Sequence, residues 1–145
     1  MNIFEALRAD HDIQRDLCER LVNTEGKSPD RKQLFKALKH ELEIHAEAEE
    51  RHFYIPLIED DMAQSHARHG IAEHHEMDEL IEKLEETEMD SPAWLVFAKQ
   101  LCHKVEHHLE DEEHTIFQLA GKVFSETQKK SLAKDYNEHI QENRQ

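Results

Sequence analysis

The chain has 145 residues, and 33 acidic against 18 basic side chains give a net charge of −15 with histidine neutral. That charge excludes a basic surface for nucleic acid or anionic membranes, and no apolar run approaches the length of a membrane span. One domain's length, with only 3 Gly and 3 Pro among abundant Ala, Leu, Glu, Lys and Gln, predicts an all-α fold.

The first helix is predicted from about Asn2 to Thr24, with Phe4, Leu7, Leu17 or Cys18, and Leu21 inward. "TEGKSPD" ends it, and Ser28 caps a second helix whose Pro29 suits a first turn. The second helix runs to about Asp60 on a stripe of Leu34, Leu38, Leu42, Phe53 and Leu57. Pro56 kinks it or ends its regular part. "DDMAQSHARHG" reads as a short irregular connection. The third helix covers roughly Ile71 to Glu88, with Met77, Ile81 and Leu84 inward. "MDSP" is a turn and cap. The fourth helix runs from Pro92 to about Ala120 on Leu101, Val105, Leu109, Ile116 and Leu119, and Gly121 reads as its C-terminal cap. Ser125 opens a shorter, mostly polar fifth helix. The expectation is a single domain over 1–145: an up-down-up-down four-helix bundle over about 1–120, with an extra helix over about 125–143 packed across one side. Cys18 and Cys102 read as buried free thiols. "MNIFEALRADH" has no leader-like apolar region, so the expected compartment is the cytoplasm.

Histidine is over-represented, with 13 residues, and it is the commonest metal ligand. Each long helix sets one in its inward stripe. His11 follows Leu7 by four residues. His45 and Glu49 continue Leu38 and Leu42. His74 leads to Met77 or Asp78 and then Ile81. His108 and Glu112 lie between Val105 and Ile116. Periodicity prefers His74 to His75 and His108 to His107, whereas His40, His66, His69, His114 and His139 read as surface residues. The same offset, 63 residues, separates His11 from His74 and His45 from His108. It also relates Glu49 to Glu112, Glu50 to Glu113, Leu38 to Leu101 and Leu21 to Leu84, as if two hairpins shared an approximate two-fold axis. A core carboxylate is costly unless paired or metal-bound, and two facing carboxylates require a proton or a cation between them. Imidazole and carboxylate without thiolate suit iron, manganese or zinc. A single inward histidine is ordinarily a hydrogen-bonded core residue. One on each of four helices, two followed a turn later by glutamate, favours a metal site. Four His with two bridging Glu around two ions leave coordination positions open.

"DH" at 10–11, "HAEAEERHFYIP" at 45–56, "EHHEMDEL" at 73–80 and "HHLEDEEHTIF" at 107–117 together resemble the hemerythrin-like, HHE cation-binding domain over nearly the whole chain. The resemblance implies a four-helix bundle holding two iron ions in a non-haem di-iron centre. His11 and His45 would serve one iron, His74 and His108 the other, and Glu49 and Glu112 would bridge them. Oxygen-carrying members have histidine four residues after the one corresponding to His74, where this chain has Asp78. They also have Asp five residues after the one corresponding to His108, where Glu112 follows by four. The four-His, two-Glu set is similar instead to the iron–sulfur cluster repair proteins and to the eukaryotic iron-sensing ubiquitin-ligase subunit. Asp78 is either a further weak ligand or an acceptor for a ligand imidazole. The implied function is binding or sensing of a small diatomic or peroxide: oxygen, nitric oxide or hydrogen peroxide. The alternatives are a di-iron oxidoreductase that detoxifies peroxide or nitric oxide, and a metal-storage or interaction bundle.

Overall fold

Asn2 opens the first helix, α1 (Ile3–Val22). Its side chain accepts from the Glu5 amide while the Glu5 carboxylate accepts from the Asn2 amide, so two orphan donors are satisfied together. In the computed structural model, which describes residues 1–144, six further α-helices follow. They are α2 (Pro29–Glu49), α3 (Ile55–Ile58), α4 (Gln64–Glu86), α5 (Pro92–Asp111), α6 (Phe117–Val123) and α7 (Glu126–Arg144). Ser28 and Ser91 cap α2 and α5, each ahead of a proline in the first turn. Ser125 and Gln128 form a reciprocal cap ahead of α7.

Two five-residue π-helical turns, Glu50–Tyr54 and Glu112–Ile116, join α2 to α3 and α5 to α6 into two longer rods. The bundle is then α1, α2–α3, α4 and α5–α6, with α1 beside α2 and α5, and α4 beside α5 and α2. α7 lies across α1, α2 and the first π turn. No helix among the described residues is long and apolar enough to cross a membrane.

The apolar core is split in two. One cluster, with Leu17, Leu21, Phe35, Leu38, Ile81, Leu84, Trp94 and Leu101, fills the end near the α1–α2 and α4–α5 connections. The other, with Ile3, Leu7, Phe53, Tyr54, Leu57, Phe117 and Tyr136, fills the end capped by α3, α6 and α7. Between them lie the buried polar residues His11, Gln14, His45, Glu49, His74, His108 and Glu112.

Several boundaries differ from the sequence expectation. Regular α geometry in the second rod ends at Glu49, well before Pro56, which sits in the first turn of α3. The interruption is therefore the π turn and not the proline. α4 begins at Gln64, so most of "DDMAQSHARHG" is helical, and the Asp60 carboxylate caps the preceding turn by accepting from the Met62 and Ala63 amides. Its inward residues there are small, Ala67 and Gly70, which disguises the amphipathic stripe. Gly121 is not a cap: it lies inside α6, which continues to Val123. The second π turn advances the inward stripe by one residue, so Ala120 is buried and Leu119 is half-buried. His139, expected at the surface, is buried on α7.

Candidate metal centre

Each long helix of the bundle brings one histidine to the polar layer, and the two π-linked rods add one glutamate each. α1 carries His11, α2 carries His45 and Glu49, α4 carries His74, and α5 carries His108 just ahead of Glu112 in the second π turn. All six are buried, Glu49 and Glu112 completely. They form two overlapping groups whose donor atoms lie within 4.8 Å of one another: His11, His45, Glu49 and Glu112; and Glu49, His74 and His108. The structure thus brings all six candidate residues together and leaves Asp78 outside both groups, exposed at the surface. His75 and His107, the neighbours that periodicity disfavoured, are exposed.

Every imidazole is held from behind through Nδ1. His11 donates to Glu113 at 2.7 Å, His108 to Glu73 at 2.9 Å and His74 to Glu50 at 3.2 Å. His45 meets the Tyr136 hydroxyl at 2.6 Å, and that hydroxyl donates to Asp10. A carboxylate only accepts, so the Tyr136 proton faces Asp10 and the hydroxyl oxygen must take its hydrogen bond from His45 Nδ1. All four rings therefore direct Nδ1–H outward and Nε2 inward, and each would offer an Nε2 lone pair once a metal displaces any inner proton, the orientation that metal-bound histidines require. Arg15 grips Glu113 with two nitrogens, at 2.9 and 3.1 Å, and Arg144 holds Asp10 at 2.9 Å.

Inside the ring of imidazoles, acceptors face acceptors. His11 Nε2 is 3.1 Å from Glu112, and His74 Nε2 is 3.1 Å from Glu49. His45 Nε2 and His108 Nε2 lie 3.5 Å from Glu49 and Glu112 respectively. The Nε2 atoms of His11, His45 and His74, both Glu49 oxygens and one Glu112 oxygen are buried without a hydrogen-bond partner. Burial of that many unpaired acceptors is tolerable only with protons or cations between them, so the donor set fits N,O-ligated metal.

The titration of the metal-free centre follows from the same contacts. Burial works against charge on His11 and His108, but Glu112 and Glu113 raise the first to about 9, and Glu49 and Glu73 raise the second to about 10. Burial also opposes ionisation of Glu49, yet the surrounding imidazoles and Glu112 hold its carboxyl well below the usual range, whereas burial and the charge of Glu49 raise Glu112. Protons thus stand in for cations. Both histidine pKa values lie above the ordinary 6.5, so this stabilisation is complete below about pH 6.5 and lost as pH rises through about 9–10. The expected result is that chelator-treated protein melts at progressively lower temperature from about pH 7 to 10, while metal binding strengthens over that range and releases protons. Melting curves of the metal-free protein that are flat with pH would contradict it.

Besides the carboxylates behind the imidazoles, Tyr54, Gly70 and Tyr136 escaped sequence reading. Tyr54, at the end of the first π turn, is fully buried and donates to Glu112, with His108 Nε2 at 3.5 Å. Gly70 on α4 lies against its ring. Tyr136 comes from the polar-looking α7 and supplies the partner of His45. Replacing Tyr136 with Phe leaves Asp10 and His45 Nδ1 each short of a partner. The expected cost is about 1–3 kcal/mol of metal-free stability and a 10–100-fold (order-of-magnitude) loss of metal affinity, read by denaturation and chelator competition.

The family model for the hemerythrin HHE cation binding domain matches residues 2–120. No curated protein sequence matches the chain significantly. Among solved structures, the chain is similar to the crystal structure of a hemerythrin HHE cation binding domain-containing protein from Mycobacterium kansasii. The two share 21% sequence identity with a TM-score of 0.88 over 99% of this chain and 88% of that one, a likeness of fold.

Proposed function

Because the chain belongs to the hemerythrin HHE cation-binding domain family, we propose that its buried His and Glu groups hold two iron ions, and that the centre binds or senses a small molecule such as dioxygen, nitric oxide or hydrogen peroxide. His11 and His45 would serve one ion and His74 and His108 the other; Glu49, shared by the two donor groups, and Glu112, in the first group and 3.5 Å from His108 Nε2, would span both. Redox-active iron with open positions supplies the reversible capture of such a molecule when bound.

The residues of this chain set what can reach that position. The observation that carries the small-ligand reading is a cavity of about 10 Å³ lined by Gln14, Leu42, Ala46, Met77 and Asp78 beside His45, His74 and His108. That is about the room for a single water-sized molecule. Leu42 and Met77 give it apolar lining, Asp78 stands at its exposed side, and Gln14 Nε2 is a buried donor without a partner. A bound diatomic or peroxide could accept a hydrogen bond from it, whereas a larger organic substrate has no room.

The test is metal analysis and optical spectroscopy of protein purified and iron-loaded without oxygen, then exposed to nitric oxide or air. Iron uptake with a spectrum that responds to the gas, and faster gas release from the Gln14→Leu variant, are expected. A protein that takes up no iron, or whose iron spectrum is unmoved by either gas, overturns the reading. Continuous peroxide consumption would assign it to the enzymes.

A further inference from the structure

The offset that relates the two hairpins also exposes where they differ. On α1 and α2 the positions Ala6, Asp10 and Ala48 are buried, and α7 lies over that pair of helices with Tyr136 bonded to Asp10. Sixty-three residues on, the corresponding positions are His69, Glu73 and Asp111 on α4 and α5. Among the described residues no further helix packs across that pair. Where one hairpin has two alanines under a covering helix, the other has an imidazole and a carboxylate facing solvent. His69, Glu73 and Asp111 each place one donor atom within 4.8 Å of the others.

We propose that His69, Glu73 and Asp111 form a separate outer site for a divalent first-row transition-metal cation, coupled to the inner centre through Glu73. His69 and Glu73 are one turn apart on α4, so one helix face presents both. Glu73 Oε1 accepts from His108 Nδ1 at 2.9 Å and lies 3.6 Å from His69 Nε2, while Oε2 lies 3.3 Å from Lys104 Nζ. Glu73 is 1% exposed, so its charge already depends on cationic neighbours. Lys104 also pairs with Glu76, which can retain it when a metal takes Oε2. One imidazole and two carboxylates suit a first-row divalent ion, and His69, 60% exposed, leaves water access to the remaining positions. An ion here draws on the carboxylate that orients His108, so the outer and inner sites influence each other's occupancy.

Zinc is the probe. Protein with its inner centre iron-loaded is titrated with zinc by equilibrium dialysis, with iron and zinc counted on the same samples. The expected result is one zinc ion per chain beyond the inner ions. It is lost in the His69→Ala/Asp111→Asn variant and bound more tightly in Lys104→Met, which frees Glu73 of its competitor. Wild-type protein that takes up no extra zinc, zinc uptake unchanged in the double variant, or affinity unchanged in Lys104→Met would each overturn the proposal. Iron content is a separate reading, so a failure of the inner assignment shows as missing iron and leaves the outer zinc count interpretable.

Discussion

Substituting Glu49 with Gln is expected to abolish metal loading across the two donor groups while leaving a folded bundle. Glu49 is the only residue shared by both donor groups, and its two oxygens face His45, His74 and His108. An amide offers one weakly basic oxygen and turns an NH2 toward lone pairs, so it cannot serve both groups. If the ions are present at a thousand times their dissociation constant, metal stabilises the wild type by about 4 kcal/mol. That increment is expected to disappear in Glu49→Gln, with melting temperatures that coincide with and without metal. Glu50→Gln is the comparison. Glu50 touches only the outward Nδ1 of His74, so its loss is expected to weaken metal binding roughly 10–100-fold without eliminating it. Equal effects from the two substitutions would refute the assignment of Glu49 as the bridge.

Gly70→Ala is expected to destabilise strongly for a substitution that adds one methyl group to a helix. In an open helix interior the change gains up to about 1 kcal/mol. Here the added Cβ would sit 2.5 Å from both Cζ and the hydroxyl oxygen of Tyr54. That ring cannot retreat, because Tyr54 is fully buried and its hydroxyl is bonded to Glu112. Overpacking of a fixed side chain costs about 1–3 kcal/mol, so the clash wins. Relief moves the Tyr54 hydroxyl off Glu112, and the metal centre loses a partner along with the stability. In a Tyr54→Leu background the clash is gone, and Gly70→Ala is expected to become neutral or stabilising. Urea denaturation of the four proteins in this cycle measures the coupling. Additive effects would show that Tyr54 and Gly70 do not constrain each other.

The legible parts of the molecule are those written within one helix. His45 with Glu49, and His108 with Glu112, are visible because four-residue spacing puts them on the stripe of Leu38 and Leu42 or Leu101 and Val105. Even the π turns have a trace. The buried series His45, Glu49, Phe53, Leu57 and its counterpart His108, Glu112, Ile116, Ala120 each make three consecutive four-residue steps, longer than a 3.6-residue α turn. Pro56 drew attention away from that signal. The partners of the histidines were harder to find because most come from other helices: Glu73 reaches His108, Glu113 reaches His11, and Tyr136 reaches His45 from far along the chain. Glu50 and Glu113 could have been found from the repeat itself, since each follows a central glutamate and they are related by the same offset. Nothing in the composition of α7 marks Tyr136. Its helix is polar because it packs with one narrow face, Ala133, Tyr136, His139 and Ile140. Gly70 closes the stretch expected to be an irregular connection, but it lies inside α4 and a buried ring determines its identity.

The dependence of His45 on α7 has a consequence for biosynthesis. A nascent chain that has emerged through α6 already contains all six inward donors, yet nothing then holds His45 Nδ1, and Asp10 lacks both Tyr136 and Arg144. N-terminal segments leave the ribosome first, so the two half-sites mature at different times. The His74 and His108 side is complete once α4 and α5, with Glu73, have folded against α2 and its π turn, which supply Glu49 and Glu50, whereas the His11 and His45 side waits for the last helix. Metal offered during translation would meet a lopsided receptor, and the final helix acts as the latch that closes it.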